Sequence, residues 1–172
     1  MDSQDERYAS AAGEYRPALE RLARAYEADP DRRRDLIQDI HLALWRSFAV
    51  FDGRCSLRTW VYRVAHNAAA SHALAGRRMN RTRTVGLEEL ELADGAAGPE
   101  QTVGDRQVLD QLMTMIRALK PPDAQVMVLY LEDLDAAAIG EVTGLSARAV
   151  AMKVHRIKSV LATRFRAEGA LP

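Results

Sequence analysis

Cysteine is almost missing from this chain: Cys55 stands alone among 172 residues. An internal disulfide and a cysteine-ligated zinc site are therefore excluded. Aromatic residues are few, with 3 Phe, 2 Trp and 5 Tyr against an abundance of Ala, Leu and Arg. That balance disfavours a β-sandwich and favours helices with small, alanine-rich contacts. Net charge is also missing, since 24 Lys and Arg meet 24 Asp and Glu. A uniformly basic nucleic-acid binder and an acidic disordered tail are both excluded by that equality. No run of about eighteen apolar residues occurs, and the polar start Met1-Asp2-Ser3-Gln4-Asp5-Glu6 lacks a signal-peptide stretch. The expectation is a soluble, cytoplasmic chain without membrane insertion. The four histidines (His41, His66, His72, His155) form no HExxH or other close pair. There is no phosphate loop, no GxSxG elbow and no nucleophile beside a base. Asp35 and Asp39 share a helix face, but two carboxylates make no acid–base site without a pocket. Neither an enzyme, a metal nor a cofactor is expected. What is present is 48% hydrophobic residues, enough to bury a core in one domain or two small ones.

The charge balance is a cancellation between blocks. Residues 31–85 hold 11 basic and 4 acidic side chains, whereas residues 86–112 hold 1 basic and 7 acidic. No acid lies between Gly53 and Leu87, where seven arginines sit. None lies between Val142 and Ala167, where six Lys or Arg sit. Two separate basic stretches are the footprint of a chain that meets phosphates twice, or of two solvated helix faces. Between them, LEELELADGAAGPEQTVGD (Leu87 to Asp105) is acidic, carries glycines and one proline, and has no sustained period. It reads as a flexible linker, with a short helical turn allowed around Leu87–Leu92.

The first segment predicts three helices. Tyr15, Leu19, Leu22 and Tyr26 recur on one face, and Asp29-Pro30 ends that pattern. Asp31 is placed to cap a second helix, about Arg32 to Ala49. Leu36, Ile37, Ile40, Leu44 and Phe48 form its core side. Asp35, Gln38, Asp39, Leu42 and Trp45 form the other side. Carboxylates mixed with Leu and Trp suit a protein-binding patch, unless Trp45 tucks under a neighbouring helix. After Phe51-Asp52-Gly53, Ser56 is the expected N-cap of a third helix. Its core side is expected to carry Leu57, Trp60, Val61, Val64, Ala68 and Ala75. Its outer side is expected to carry Arg58, Thr59, Tyr62, Arg63, His66, Ala69, Ala70, Ala73 and Arg77. Cations can hold a backbone, rings can stack on unpaired bases, and alanines permit close approach. These suit single-stranded or melted DNA, and the Arg77, Arg78, Arg81, Arg83 cluster would add phosphate contacts.

The second segment carries the sharper local signal. A helix through Val108, Leu112, Met115 (or Ile116) and Leu119 is stopped by Lys120-Pro121-Pro122, and a short apolar helix follows, about Asp123 to Glu132. Asp135 can cap a short helix to Val142, Gly144 is free to take positive φ in a tight turn, and Ser146 can cap a longer helix. Val150, Val154, Ile157 and Leu161 form the buried stripe of that helix, while Arg148, Met152, His155 and Ser159 point outward beside Arg156 and Lys158. This is the pattern of a helix-turn-helix, whose second helix enters the major groove, with an ordinary αα-hairpin as the plainer reading.

Together the two segments resemble a known family. DLIQDIHLALWRSFAVFDGRCSLRTWVYRVAHNAAASHAL (Asp35 to Leu74) is similar to the second region of extracytoplasmic-function (ECF) sigma factors. LKPPDAQVMVLYLEDLDAAAIGEVTGLSARAVAMKVHRIKSVL (Leu119 to Leu161) resembles their fourth region, in the same order. The resemblance implies an all-α fold of two small domains: 1–85 for core polymerase and −10 element binding, a linker at 86–105, and 106–172 for the −35 element. It implies binding to core RNA polymerase, through the β′ clamp helices and the β subunit, and to promoter DNA. An anti-sigma factor is a further implied partner. Asp35, Gln38, Asp39, Leu42 and Trp45 match the clamp-docking surface. Arg54, Ser56, Trp60, Arg63 and Asn67 match positions that read and open the −10 element, joined on the same face by Arg58, Thr59, Tyr62, His66 and Arg77. Ser146, Arg148, Ala151, Met152, Lys153, His155 and Arg156 fall on the −35 reading module.

Geometry and departures bear on this resemblance. Elements about 17 base pairs apart lie roughly 55–60 Å apart. A linker near 25 residues spans about 80 Å extended, and the family passes it through the polymerase near the active-site cleft and RNA exit path. Arg32-Arg33-Arg34 replaces a stretch usually acidic in the family, and Ala147, Ala149 and Ala151 leave few polar reading groups on the recognition helix. No further domain is expected beyond about Arg166. Two other functions stay open at this point: a helix-turn-helix repressor acting without polymerase, and a sigma-like adaptor that binds a regulatory protein.

Overall fold

The computed structural model describes residues 3–83 and 104–167. The expected turn at Leu87–Leu92 and nearly all of the acidic linker lie outside them. The described residues form seven helices and no strand: α1 (Gln4–Tyr26), α2 (Pro30–Ser47), α3 (Leu57–Arg83), α4 (Asp105–Arg117), α5 (Pro121–Leu131), α6 (Ala136–Thr143) and α7 (Ala147–Ala167).

Local chemistry sets the helix ends. Ser3 and Glu6 form a capping box at α1, with Glu6 N donating to Ser3 Oγ at 3.2 Å and Ser3 N to Glu6 Oε2 at 2.7 Å. Asp29, not Asp31, caps α2: its carboxylate accepts from the backbone N of Asp31 and Arg32, and Pro30 takes the first helical turn. Proline there loses no hydrogen bond, so the breaker of one helix is the first residue of the next. Ser56 caps α3, accepting from Thr59 N at 3.1 Å. Asp135 caps α6 through Ala138 N at 2.8 Å, and Ser146 caps α7 through Ala149 N at 3.2 Å. Between them Gly144 has φ +80°, a left-handed C-cap that a side chain would strain.

α1, α2 and α3 surround Leu19, Leu22, Leu36, Ile40, Leu44 and Val61, all buried. Each such side chain contributes about 1.5–3 kcal/mol by leaving water. α4 to α7 enclose Ile116, Val126, Leu129, Ile139, Val150 and Ile157, and Phe165 extends the expected stripe of α7 by one turn. The two helical domains also pack on each other: α3 lies against α5 and α6, and α1 against α4.

That packing corrects the expected faces of α3. Thr59, Tyr62, His66 and Ala69 were expected outside, yet they are buried. Trp60, Val64 and Ala68, expected in the core, are half-buried, and Ala75 is exposed. The reason is that α3 is covered on two sides. One side meets α2; the other meets α1 and the C-terminal domain. A helical wheel gives one apolar stripe and cannot show a second face closed by rings and hydroxyls.

Candidate nucleic-acid and partner interfaces

The α2 stripe faces solvent. Asp35, Gln38, Asp39, Leu42 and Trp45 are all exposed, with Leu42 at 46% and Trp45 at 40%. Trp45 is not tucked under a neighbouring helix; its indole N–H donates to Asp5 Oδ1 at 2.7 Å, and Gln4 Nε2 donates to the Trp45 carbonyl at 2.7 Å. The first turn of α1 thus holds the indole in place while leaving its ring face open. Asp39 Oδ2 lies 3.3 Å from His72 Nδ1. Two large apolar side chains rimmed by carboxylates, on a helix whose opposite face buries Leu36, Ile40 and Leu44, make a surface suited to a protein partner.

The start of α3 carries the candidate DNA residues, in differing states. Arg54 is exposed and pairs with Asp52 at 2.8 Å. Ser56 is committed to its cap. Trp60 leans on Phe51, with ring centroids 5.2 Å apart, and donates its indole N–H to Ser47 Oγ at 3.0 Å. Asn67 is exposed, and the side chain of Arg77 lies outside the described residues. His66 is a core residue and not a surface contact. It is 1% exposed, its Nδ1 is 2.8 Å from the Tyr26 hydroxyl, and burial pushes its pKa down to about 3. A neutral imidazole sealed beneath α1 offers no charge to a phosphate. Thr59 and Tyr62 are withdrawn as well, at 3% and 2% exposed. They are covered by the C-terminal domain: Thr59 Oγ1 donates to Glu141 Oε2 at 3.0 Å, and the Tyr62 hydroxyl donates to Glu132 Oε2 at 3.2 Å. Arg58 and Arg63 point the same way, donating to the carbonyls of Glu132 and Glu141 at 2.6 and 2.5 Å. Beside these contacts an open groove runs between Arg54, Trp60 and Arg63 on one wall and Asp135, Ala138 and Glu141 on the other.

In the helix-turn-helix, Arg148, Ala151, Met152, His155 and Arg156 are exposed along one side of α7. Ser146 is partly spent on its cap. Lys153 turns back to α5, with Nζ 2.5 Å from Asp123 Oδ1, and Arg156 lies 3.2 Å from Asp123 Oδ2. Asp123 therefore braces the longer helix against the domain, leaving Arg148 as the cation nearest its N-terminus. Gly140 allows the close turn: a Cβ there would stand 2.6 Å from the Leu145 carbonyl oxygen. Among the described residues no group of His, Cys, Asp and Glu could hold a metal, and no helix is long and apolar enough to cross a membrane.

Comparison with known proteins fits this geometry. Residues 12–79 match the sigma-70 region 2 family, and residues 109–161 match sigma-70 region 4. The ECF RNA polymerase sigma factor SigG of Mycobacterium tuberculosis, in strains CDC 1551 / Oshkosh and H37Rv, is 31% identical over 75% of this chain. The chain belongs to the ECF sigma factor family. It spans about 40% of the length of those curated relatives. Two solved structures share the fold at TM-score 0.66: CnrH in complex with the cytosolic domain of CnrY, and the sigma factor RpoE in complex with the anti-sigma factor NepR from Bartonella quintana. They are 20% and 19% identical, covering 93% and 88% of this chain and 88% and 92% of theirs. In this sigma factor, the sequence pattern marked candidate surfaces on α2, the start of α3 and α7. It missed Arg21, Glu132 and Glu141, which meet the α3 face from distant parts of the chain. Nothing in the local pattern around those residues marks them.

Proposed function

We propose that this sigma factor binds core RNA polymerase and directs it to promoters, with residues 1–85 engaging the polymerase and the −10 element and residues 106–172 reading the −35 element. On this reading Asp35, Gln38, Asp39, Leu42 and Trp45 dock on the β′ clamp helices, and the C-terminal domain meets the β subunit. Arg54, Arg58, Trp60, Arg63 and Asn67 act on the −10 strand, with Thr59 and Tyr62 joining once uncovered. Arg148, Met152, His155 and Arg156 approach the −35 major groove. The linker at 86–105 joins the two sites through the polymerase channel. The chain then acts in the cytoplasm as a regulatory protein and not as an enzyme. The single observation that best supports the reading is the exposed α2 stripe in the same chain as a helix-turn-helix. A repressor needs the second but has no use for the first. An anti-sigma partner is supported by the complexes in which the CnrH and RpoE folds were solved.

A mobility shift on DNA from upstream of its own gene tests this. A shift with core polymerase plus the chain, and none with the chain alone, is expected. Tight binding by the chain alone would favour the repressor, and binding to core without any promoter shift would favour an adaptor.

A further inference from the structure

The contact between the domains is built around one carboxylate. Arg21 on α1 grips Glu132 with its fork: Nε lies 2.6 Å from Oε1 and Nη2 lies 2.7 Å from Oε2. The Tyr62 hydroxyl adds a third hydrogen bond at 3.2 Å, and Arg58 takes the Glu132 carbonyl at 2.6 Å. The Glu132 side chain is 8% exposed, whereas that of Arg21 is 55% exposed. Glu132 stands at the tip of the α5–α6 turn, followed by Asp133 at φ +58°, a left-handed conformation unusual for a residue with a side chain. The turn therefore presents Glu132 outward, onto a face whose own segment carries no acid from Gly53 to Leu87. Glu141 supports it from the next helix, over Thr59 and Arg63.

A planar guanidinium that holds a carboxylate bidentately holds a phosphate in the same way. We propose that Arg21, Arg58 and Tyr62 form a cradle for one backbone phosphate of the −10 single strand, and that Glu132 fills this cradle in the closed chain. The proposal rests on the promoter-directing function above and adds Arg21 as a phosphate-binding residue outside α3. It makes domain closure and strand binding mutually exclusive, because Glu132 and the phosphate need the same donors. The electrostatics agree: Glu132 strengthens proton retention by Arg21, and burial together with Glu132 pushes Tyr62 up to about 12, so both remain donors at neutral pH.

The test uses the full chain and a fluorescein-labelled oligothymidine of about 20 nucleotides, since a phosphate contact does not depend on base identity. Binding is read by anisotropy, and domain separation by the radius of gyration from small-angle X-ray scattering. Glu132→Gln keeps the shape of the side chain and removes its charge; Arg21→Ala removes the fork. Both variants are expected to expand. Only Glu132→Gln is expected to bind the oligonucleotide more tightly, by about three- to tenfold, as the competing carboxylate is lost. The double variant is expected to expand and lose that gain. Unchanged affinity in Glu132→Gln would overturn the occupancy of the cradle by Glu132. A double variant that binds as tightly as Glu132→Gln would overturn the role of Arg21. Promoter binding by the wild-type chain with core polymerase, alongside either of those results, would reject the cradle and leave the promoter-directing function standing. Tighter binding that depends on Arg21, in a chain that never forms a promoter complex, would reject the promoter function instead.

Discussion

Acidification from pH 7 to pH 5 should destabilise the fold through His66, and the size of the effect follows from its surroundings. The imidazole is sealed between α1 and α3, with the Tyr26 hydroxyl on Nδ1 and no partner for the buried Nε2. Burial lowers its folded pKa to about 3, whereas an unfolded histidine titrates near 6.5. As pH falls through 6.5 the unfolded chain takes up a proton that the folded chain refuses. Stability is therefore complete above about pH 7 and is lost progressively as pH falls toward 3. The loss is on the order of 1 kcal/mol at pH 6 and about 2 kcal/mol at pH 5. With a urea slope of roughly 2 kcal/mol per molar, the midpoint should move down by about 1 M between pH 7 and pH 5. Trp45 and Trp60 both lie in the N-terminal domain, so tryptophan fluorescence reports that domain directly. His66→Gln keeps a hydrogen-bonding group near Tyr26 and does not titrate. His41, also held below its usual pKa by burial, remains in both proteins and cancels in the comparison. If wild type and His66→Gln lose the same stability between pH 7 and pH 5, the sealed, neutral histidine is refuted.

Four further outcomes follow from other sites. Trp45→Ala should weaken capture of core polymerase in a pull-down without lowering the helical circular dichroism signal, since the indole lies outside the core, partly exposed and held by Asp5; unchanged capture would remove α2 from the partner surface. Arg63→Ala should slow promoter opening, read by permanganate reactivity of unpaired thymines, while core binding stays intact. Gly140→Ala should lower the thermal stability of the helix-turn-helix by about 1–3 kcal/mol, because its methyl meets a main-chain oxygen that cannot easily retreat, and Asp135→Ala should cost about 1 kcal/mol through loss of the α6 cap.

The features legible in the sequence were those with local causes. Ser56, Asp135, Gly144 and Ser146 announced helix ends because caps and left-handed turns depend on the residue at the spot. The α7 stripe was legible because one domain buries it on one side. The cap of α2 was misplaced by two residues, since Asp29 and Asp31 both suit the role and only the placement of Pro30 in the first turn decides between them. The α3 face was misread for a non-local reason. His66 and Tyr62 are polar enough to look exposed, yet Tyr26, Tyr15, Glu132 and Glu141, far away in the chain, close over that side. Charge sorting pointed to the basic stretch but not to the carboxylates that meet it, because their partners are separated by 70 or more positions.

Run-off transcription with purified core RNA polymerase, on DNA carrying the upstream region of its own gene, tests the central claim most directly. The predicted result is a discrete transcript when chain and core are present together, and none with core alone; no discrete transcript from a chain that is folded and bound to core would contradict it.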